Sequence, residues 1–533
     1  MPAQLNITSE QLIHSIRHQP DVAETQIQEL LHSFEQNLQE LRQARLELAK
    51  LQEQQRLARA ERFAASSEQS PQYALFNEAE QEAVEAAAES DDEVAEAVTV
   101  PAHTRRVAKR KPLPADLPRV VVEHDLADKT CSDCGADKVR IGTKTSEQLD
   151  IIPAQVFVIE HQRHSYKCPC CVDAVPTTAP MPAQPIPKSI ASAGLLAHVA
   201  VAKYDDGLPL YRQVKQFERI GVSLSRQTLA AHMVRGGELV LPLVELMTRQ
   251  CLAFDVLQMD ETRVQVLDED NRPAHSQSWM WVMRGGPPAQ PVIRYHYDPG
   301  RGASVPLKLL NGYQGYLQTD GYGAYRQVFA QPGITGLGCW ARARRRFIKA
   351  QQAQPKGKSS GRLTQVLAWI NKLYALERSW LDLLPDERQH QRQTEAKPLL
   401  DKIEAWALKQ DVPPKTLLGK AVSYLLKEWP RLIVYLNDGR LTIDNNLVEN
   451  AIRPFALGRK NWLFSHSVEG AEASAALYSL IETARANGLN TYAYLKHLFT
   501  MLPNCSSDDE LQALLPWHVD RETLAQYTQT PKA

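Results

Sequence analysis

The sequence contains no run of 18 or more apolar residues, although 43% of its 533 residues are hydrophobic. A transmembrane helix needs about 20 consecutive apolar residues, so no segment is expected to span a bilayer. The N-terminal stretch MPAQLNITSEQLIHSIRHQ also lacks the basic start and apolar core of a secretory signal. We therefore expect a cytoplasmic protein without a membrane partner, and the length predicts roughly three or four domains.

Cysteine is scarce, and 8 residues are too few for disulfide bonds to stabilise a chain of this size throughout. Five of them cluster: Cys131, Cys134, Cys168, Cys170 and Cys171. The pairs Cys131/Cys134 and Cys168/Cys171 enclose a β-like stretch, which predicts a zinc ribbon with one tetrahedral Zn²⁺. Cys170 can replace Cys171, and His161 or His164 can substitute for one ligand. Four thiolates leave no open coordination position, so the predicted zinc is structural.

Net charge is nearly absent, at −1, but the two parts of the chain differ in sign. Residues 1–100 hold 7 Lys and Arg against 19 Asp and Glu, whereas residues 101–533 hold 54 against 43. A mildly basic body permits DNA binding. A basic arm beside several prolines is suited to follow DNA phosphates in an extended conformation, the alternative being a solvated linker. Its basic residues are Arg105, Arg106, Lys109, Arg110 and Lys111.

The N-terminal region predicts a long helix over residues 21–62, which contain no internal Gly or Pro. Apolar residues follow steps of four and three along it, which favours a dimerising coiled coil over an amphipathic helix packed on its own domain. They are Ile27, Leu31, Phe34, Leu38, Leu41 and Leu48. An acidic stretch over residues 66–100 then predicts a linker.

A helical pattern from Ser189 to about Arg249 contains a helix-turn-helix-like segment in which Ser225 caps the second helix. This leaves Arg226, Gln227 and Arg235 exposed as candidate DNA contacts, with an ordinary helical hairpin as the alternative. Three β-rich segments, a short helix and a fourth strand follow. That succession matches the start of a ribonuclease H-like α/β fold.

Three carboxylates carry the predicted chemistry. Asp260 lies inside an apolar strand, and Asp320 directly follows the fourth strand. Glu449 belongs to a helix that Asp444 is expected to cap and that is expected to end at Pro454. One face of that helix is polar, and the other carries Leu447, Val448, Ala451 and Ile452. Two Mg²⁺ (or Mn²⁺) ions held by carboxylates support in-line phosphoryl transfer, so we expect the three carboxyl groups to converge in an exposed cleft.

The chain closely resembles the insertion-sequence 66 family of DDE transposases over most of its length. The resemblance rests on segments such as KRKPLPADLPR, the two CxxC pairs, QMDETRVQV, TDGYGAY, CWARARRRF and DNNLVENAIRPFALGRKNWLFS. It implies that Asp260, Asp320 and Glu449 form the catalytic triad. It also implies a leucine-zipper-like segment, a zinc domain, a helical insertion before the glutamate and a C-terminal appendage.

The implied function is a DNA transposase that cleaves element ends and performs strand transfer by two-metal phosphoryl transfer. Its partners would be the terminal inverted repeats, target DNA, a second copy of the chain and accessory proteins of the element, with nucleoid association in the cytoplasm. Arg453, Arg459 and Lys460 are near enough to Glu449 to hold DNA, surface charge being the alternative. The alternatives for function are a metal nuclease of the same fold and a decayed zinc-dependent DNA-binding protein.

Arg342 is a departure from the family pattern, in which CWAH usually follows the second aspartate. An arginine there either weakens activity or keeps a DNA contact, because arginine binds phosphate well. A basic stretch before the linker is also replaced, here by FAASSEQS.

These observations predict a multidomain α/β protein with a ribonuclease H-like catalytic core. The expected domains are a coiled-coil segment at 1–65, a linker and basic arm at 66–118, a zinc ribbon at 119–180, a helix-turn-helix-like region at 181–250, a catalytic domain at 251–487 with a helical insertion at 355–440, and an appendage at 488–533.

Overall fold

The computed structural model describes residues 16, 20–63, 156–166, 177–354 and 361–528. The chain divides into two compact units, one formed by residues 1–91 with 180–533 and the other by residues 92–179. The linker at 66–100, the basic arm at 105–111 and the five clustered cysteines lie outside the described residues, so those predictions stand as made.

The predicted N-terminal helix is present as α1, Pro20–Phe63. Its seam residues face solvent, with exposures between 39% for Leu38 and 63% for Phe34. The other end of the helix is anchored on the folded body. There Glu53 accepts a hydrogen bond from the backbone N–H of Leu417 at 3.1 Å, and Arg56 donates one to the carbonyl of Ala353 at 3.1 Å.

In the unit of residues 92–179, Ser165–Tyr166 (β1) and Thr177–Thr178 (β2) pair in antiparallel register. They enclose the segment that holds Cys168 and Cys171. Within the described part of the predicted β-like stretch, residues 156–164 form no strand and Ser165–Tyr166 does. Val158 in that segment is 90% exposed, so its apolar side chain contributes little to a packed sheet face.

Three helices follow in the larger unit: Ala193–Tyr204 (α2), Leu210–Arg219 (α3) and Arg226–Leu252 (α4). Ser192 caps α2, and the predicted cap of α4 is present, with the Ser225 hydroxyl accepting the Thr228 N–H at 3.0 Å. α2 and α4 thus begin where serine side chains satisfy free backbone N–H groups, whereas α3 begins after Pro209 without a side-chain cap.

The sheet is mixed. Its main strands are Val256–Asp268 (β3), Gln277–Gly285 (β4), Val292–Asp298 (β5), Gly315–Gln318 (β6) and Ile334–Leu337 (β7). They lie in the order β5-β4-β3-β6-β7. β4 pairs in antiparallel register with both β5 and β3, whereas β3, β6 and β7 are parallel. A short strand, Ser465–Ser467 (β8), pairs in parallel with the far end of β3.

The remaining helices of the larger unit pack around the sheet or belong to the insertion before Glu449. They are Ser304–Leu309 (α5), Tyr325–Phe329 (α6), Trp340–Gln352 (α7), Gly361–Ser379 (α8), Pro385–Gln391 (α9), Lys397–Leu408 (α10), Leu417–Leu432 (α11), Asn446–Trp462 (α12), Val468–Ala486 (α13), Thr491–Met501 (α14), Asp508–Ala513 (α15) and Arg521–Thr528 (α16). A π-helical turn, Arg392–Ala396, joins α9 to α10, and 3₁₀ turns span Val434–Asn437 and Leu502–Asn504.

Two hydrophobic cores organise this unit. The first joins the sheet to α2, α4, α12, α13 and α14. The second is built around α7, α8, α10 and α11, and it includes Leu337 at its start and Ile443 at its end. The predicted helical region before Glu449 therefore has a core of its own.

The structure corrects two details of α12. The helix passes through Pro454 to Trp462 rather than ending at the proline. Phe455 and Gly458 beyond it are buried, so tertiary packing offsets the hydrogen bond that proline cannot donate. Leu447, predicted on the apolar face, is 40% exposed, while Val448, Ala451 and Ile452 are buried as expected.

Candidate active site

The sheet register brings Asp260 and Asp320 together. Gln258 on β3 pairs in parallel with Gln318 on β6, and each aspartate follows its glutamine by two residues. The two glutamines are joined side chain to side chain at 2.7 Å. Neighbouring strands lie about 4.8 Å apart, so the two aspartates occupy equivalent positions on adjacent strands, just beyond the point where the parallel pairing of β3 and β6 ends.

Glu449 is brought to the same edge by the first turn of α12. The side-chain amide of Asn445, the N-cap residue, donates to the carbonyl of Met259 at 3.1 Å, and the backbone N–H of Val448 donates to Gln258 at 3.2 Å. Both acceptors directly precede Asp260 on β3. Asp444, predicted as the cap, instead accepts the N–H of Asn446 at 3.1 Å from one position before the N-cap.

Beyond the effect of burial, the three carboxylates interact electrostatically, and this interaction also raises the pKa of Asp260 and of Glu449. Burial, followed by the charges of Asp320, Glu261 and Glu449, raises the pKa of Asp260 well above its usual range. Burial also raises the pKa of Glu449, and the guanidinium of Arg345 offsets part of this shift. Negative charge from separate elements is thus concentrated at one place.

Arginines of α7 neutralise two of these carboxylates. Arg342 forms an ion pair with Asp320, and Arg345 donates to both oxygens of Glu449 at 2.8 and 3.2 Å. Arg346 on the same helix stacks over the ring of Tyr424 at 4.2 Å, and the hydroxyl of Tyr424 donates to the carbonyl of Asp320 at 3.1 Å. Sequence reasoning identified Arg342 but missed Arg345, although their spacing of three places both on one helix face.

Glu261 and Arg301 form a third ion pair beside the site, which sequence reasoning also missed. Arg301 donates to one oxygen of Glu261 at 2.6 and 2.9 Å, and the hydroxyl of Tyr325 donates to the other at 3.0 Å. The guanidinium lies between the rings of Trp279 and Tyr322, 4.3 and 3.9 Å from their centroids. Because the N–H of Tyr322 donates to Asp320 at 2.8 Å, this stack supports the loop that carries the second aspartate.

The donor set matches a hard divalent cation, since all three groups are carboxylates, whose oxygens such ions prefer as ligands. Among the described residues, however, no group of three His, Cys, Asp or Glu side chains is arranged to hold a metal ion as it stands. Arg342 and Arg345 engage two of the carboxylates instead. Asp320 and Glu449 are 5% and 3% exposed, so these two carboxylates are buried rather than lining an exposed cleft as predicted, while Asp260 is half-buried.

The predicted DNA contacts fall in different environments. Arg226, Gln227 and Arg235 are exposed along α4, and Lys460 is exposed on α12. Arg453 is half-buried on the same helix. Arg459 donates to the Thr262 hydroxyl at 3.3 Å and to the carbonyl of Arg263, so it holds α12 against β3.

Comparisons with known families agree with this architecture. The model of the transposase IS66 family matches residues 188–473, which include all three carboxylates. The zinc-finger binding domain of transposase IS66 matches residues 128–172, and the IS66 C-terminal element matches residues 479–517. A fourth model, described as transposase C of IS166 homeodomain, matches residues 50–122. The chain belongs to the IS66 family of transposases.

Relatives in Sinorhizobium fredii (strain NBRC 101917 / NGR234) cover most of the chain. The uncharacterized protein y4jD is 32% identical over 427 residues, which are 78% of this chain and 83% of y4jD. The uncharacterized protein y4hP is 30% identical over 510 residues, covering 90% and 89% of the two chains.

Family membership indicates DNA as the substrate, and the zinc-finger match supports a structural Zn²⁺. No helix among the described residues is long and apolar enough to cross a membrane.

Proposed function

We propose that this transposase cleaves the ends of its element and joins them to target DNA through Asp260, Asp320 and Glu449. One observation supports the proposal: the start of α12 donates hydrogen bonds to the two residues before Asp260 on β3, and Asp260 and Asp320 each follow the parallel pairing of β3 with β6 by two residues. A strand order of three antiparallel strands followed by two parallel ones supports a ribonuclease H-like core.

Mg²⁺ or Mn²⁺ ions, when bound, would stabilise the attacking and leaving oxygens of an in-line phosphoryl displacement. Asp260 on the central strand, Asp320 and Glu449 would hold the ions through their carboxylate oxygens. The loop at Asp320 is held by Tyr322 and Tyr424, and Glu449 is held by the first turn of α12. These contacts limit how far the carboxylates can move, which catalysis by positioning requires.

Recognition of DNA is assigned to surfaces outside this site. The exposed Arg226, Gln227 and Arg235 of α4, with Lys460 of α12, offer donors to phosphates and base edges. Self-association is assigned to α1, because its apolar seam faces solvent while its other end is fixed to the body.

The test uses the full-length protein, a duplex ending in the inverted repeat that flanks its gene, a plasmid target and Mg²⁺. We expect strand cleavage that leaves a 3′-hydroxyl, followed by joining of that end to the plasmid. A matched duplex that is already cleaved but carries a 3′-deoxy terminus should bind and fail to join. Cleavage without joining would instead define a metal nuclease, and binding without cleavage a decayed DNA-binding protein.

A further inference from the structure

The arginines of α7 have a property that the proposed chemistry does not use. Arg342 and Arg345 form ion pairs with the buried carboxylates of Asp320 and Glu449. Their side chains are still 37% and 26% exposed, so both remain accessible to solvent. By contrast, Arg344 between them is 1% exposed and donates to Asn371 at 2.8 Å. The helix therefore pairs two arginines with carboxylates of the site and keeps Arg344 within its own core.

A guanidinium and a divalent cation compete for the same carboxylate. Both neutralise the anion, and the two positive charges repel each other at contact distance. Carboxylate oxygens engaged by Arg345 must be released before they can ligate an ion. Binding of cations at Asp320 and Glu449 is thus expected to displace both arginines toward solvent.

A displaced arginine at this edge has a ready partner in DNA. The planar guanidinium binds phosphate with the same bidentate geometry that it uses for carboxylate. Arg342 and Arg345 share one face of α7, and Arg346 is held at the same edge by its stack on Tyr424. This row of positive charge suits the backbone of a strand that enters the site.

We propose that Arg342 and Arg345 exchange partners, pairing with Asp320 and Glu449 in the metal-free protein and with a DNA phosphodiester once cations are bound. The inference rests on the proposed function, because it takes the same carboxylates as cation ligands. It assigns Arg345 a phosphate-binding role and gives Arg342, the departure from the family pattern, a defined part in substrate binding.

The experiment titrates Mn²⁺ alone into full-length protein without DNA and follows free Mn²⁺ by electron paramagnetic resonance. Arg345→Gln should bind Mn²⁺ about fivefold more tightly than the unmodified protein, since a partly exposed ion pair is worth about that factor. Arg345→Lys, which keeps the charge, should lie near the unmodified value. Lys349→Gln removes an exposed positive charge one turn further along α7 and should change nothing.

A second readout measures binding of end duplex in Ca²⁺ and in its absence. Ca²⁺ should strengthen binding by the unmodified protein and by Lys349→Gln, whereas Arg345→Gln should lose most of this gain. For Arg345→Gln in Ca²⁺, the slope of log DNA affinity against log salt concentration should also become shallower by about one, which corresponds to one fewer released counterion.

The outcomes separate this inference from the proposed function. If Arg345→Gln binds Mn²⁺ no more tightly, or keeps the full gain in DNA affinity, the exchange is wrong. If Asp260→Asn binds Mn²⁺ as well as the unmodified protein does, the carboxylates are not the cation ligands and the proposed function itself fails.

Discussion

Arg345 donates to both carboxylate oxygens of Glu449, although 104 residues separate the two in sequence. The second hydrophobic core lies mostly between them in the chain, from α7 through α11. The helices that enter and leave this insertion therefore meet at the candidate active site. Glu449 is thus contacted by Arg345 of α7, and the first turn of its own helix is hydrogen-bonded to β3.

The stack around Arg301 should contribute measurably to stability. Arg301→Ala leaves the Glu261 side chain, which is 0% exposed, without its cation. Because Arg301 is itself 34% exposed, we expect a loss of about 2 to 3 kcal/mol in the free energy of unfolding, below the range for fully buried pairs. Urea unfolding measures this change. The exposed Arg326 on α6 provides the control, and Arg326→Ala should change stability by under about 0.5 kcal/mol. Equal effects in the two variants would contradict the assignment.

Much of this architecture could be predicted from the sequence, because its segments carry clear local signals. The runs around Asp260, Met280 and Tyr295 are apolar and β-rich, and each forms a strand where expected. β7 was missed, since Ile334–Leu337 is four residues long and contains Gly336. Its strand character follows from tertiary pairing with β6, which the local sequence does not signal.

The pairing of charges at the site could not be predicted in the same way. Residue spacing places Arg342 and Arg345 on one face of α7, but only the fold determines that this face meets Asp320 and Glu449. The burial of these acids has the same origin. A glutamate on a polar helix face is usually solvated, whereas Glu449 is buried and paired with Arg345 of α7.

His296 gives the stability a defined pH dependence. Burial, assisted by the charges of Arg294 and Lys308, lowers its pKa from 6.5 to about 4. As the pH falls below 6.5, His296 becomes protonated in the unfolded chain before it does in the folded protein. The free energy of unfolding that this residue contributes above pH 6.5 is therefore lost as the pH falls toward 4. After allowance for partial exposure, we expect a loss of about 2 kcal/mol. His296→Gln should show a smaller decrease over this range in urea unfolding. Identical pH profiles would contradict this account.

Zinc should bind at one equivalent per chain through the cysteines of residues 128–172. Cys131→Ser should lose the metal and unfold that subdomain while the transposase core keeps its thermal transition, because thiolate ligation supplies the subdomain's folding energy. Metal analysis and calorimetry measure the two effects. Cys505→Ser, a change at a half-buried cysteine of the larger unit, should retain zinc. Freshly purified protein without zinc would refute the assignment.

Deleting residues 1–62 should weaken self-association, since the exposed seam of α1 is removed. The paired substitution Leu31→Asp and Leu38→Asp should have the same effect in the intact chain. Changing Gln36 and Glu40 to Ala, off the seam on the same helix, should leave association unchanged. Sedimentation at low concentration distinguishes these results. A truncated protein that remains dimeric would place the contact on the folded body.

The most direct test of the central claim is an end-cleavage and strand-transfer assay on Asp260→Asn. The amide keeps the size of the side chain and removes its charge, so the fold and DNA affinity should persist. We expect this variant, like Asp320→Asn and Glu449→Gln, to bind end DNA yet lose both reactions in Mg²⁺ and in Mn²⁺. An Asp260→Asn protein that still cleaves end DNA would contradict the proposed mechanism.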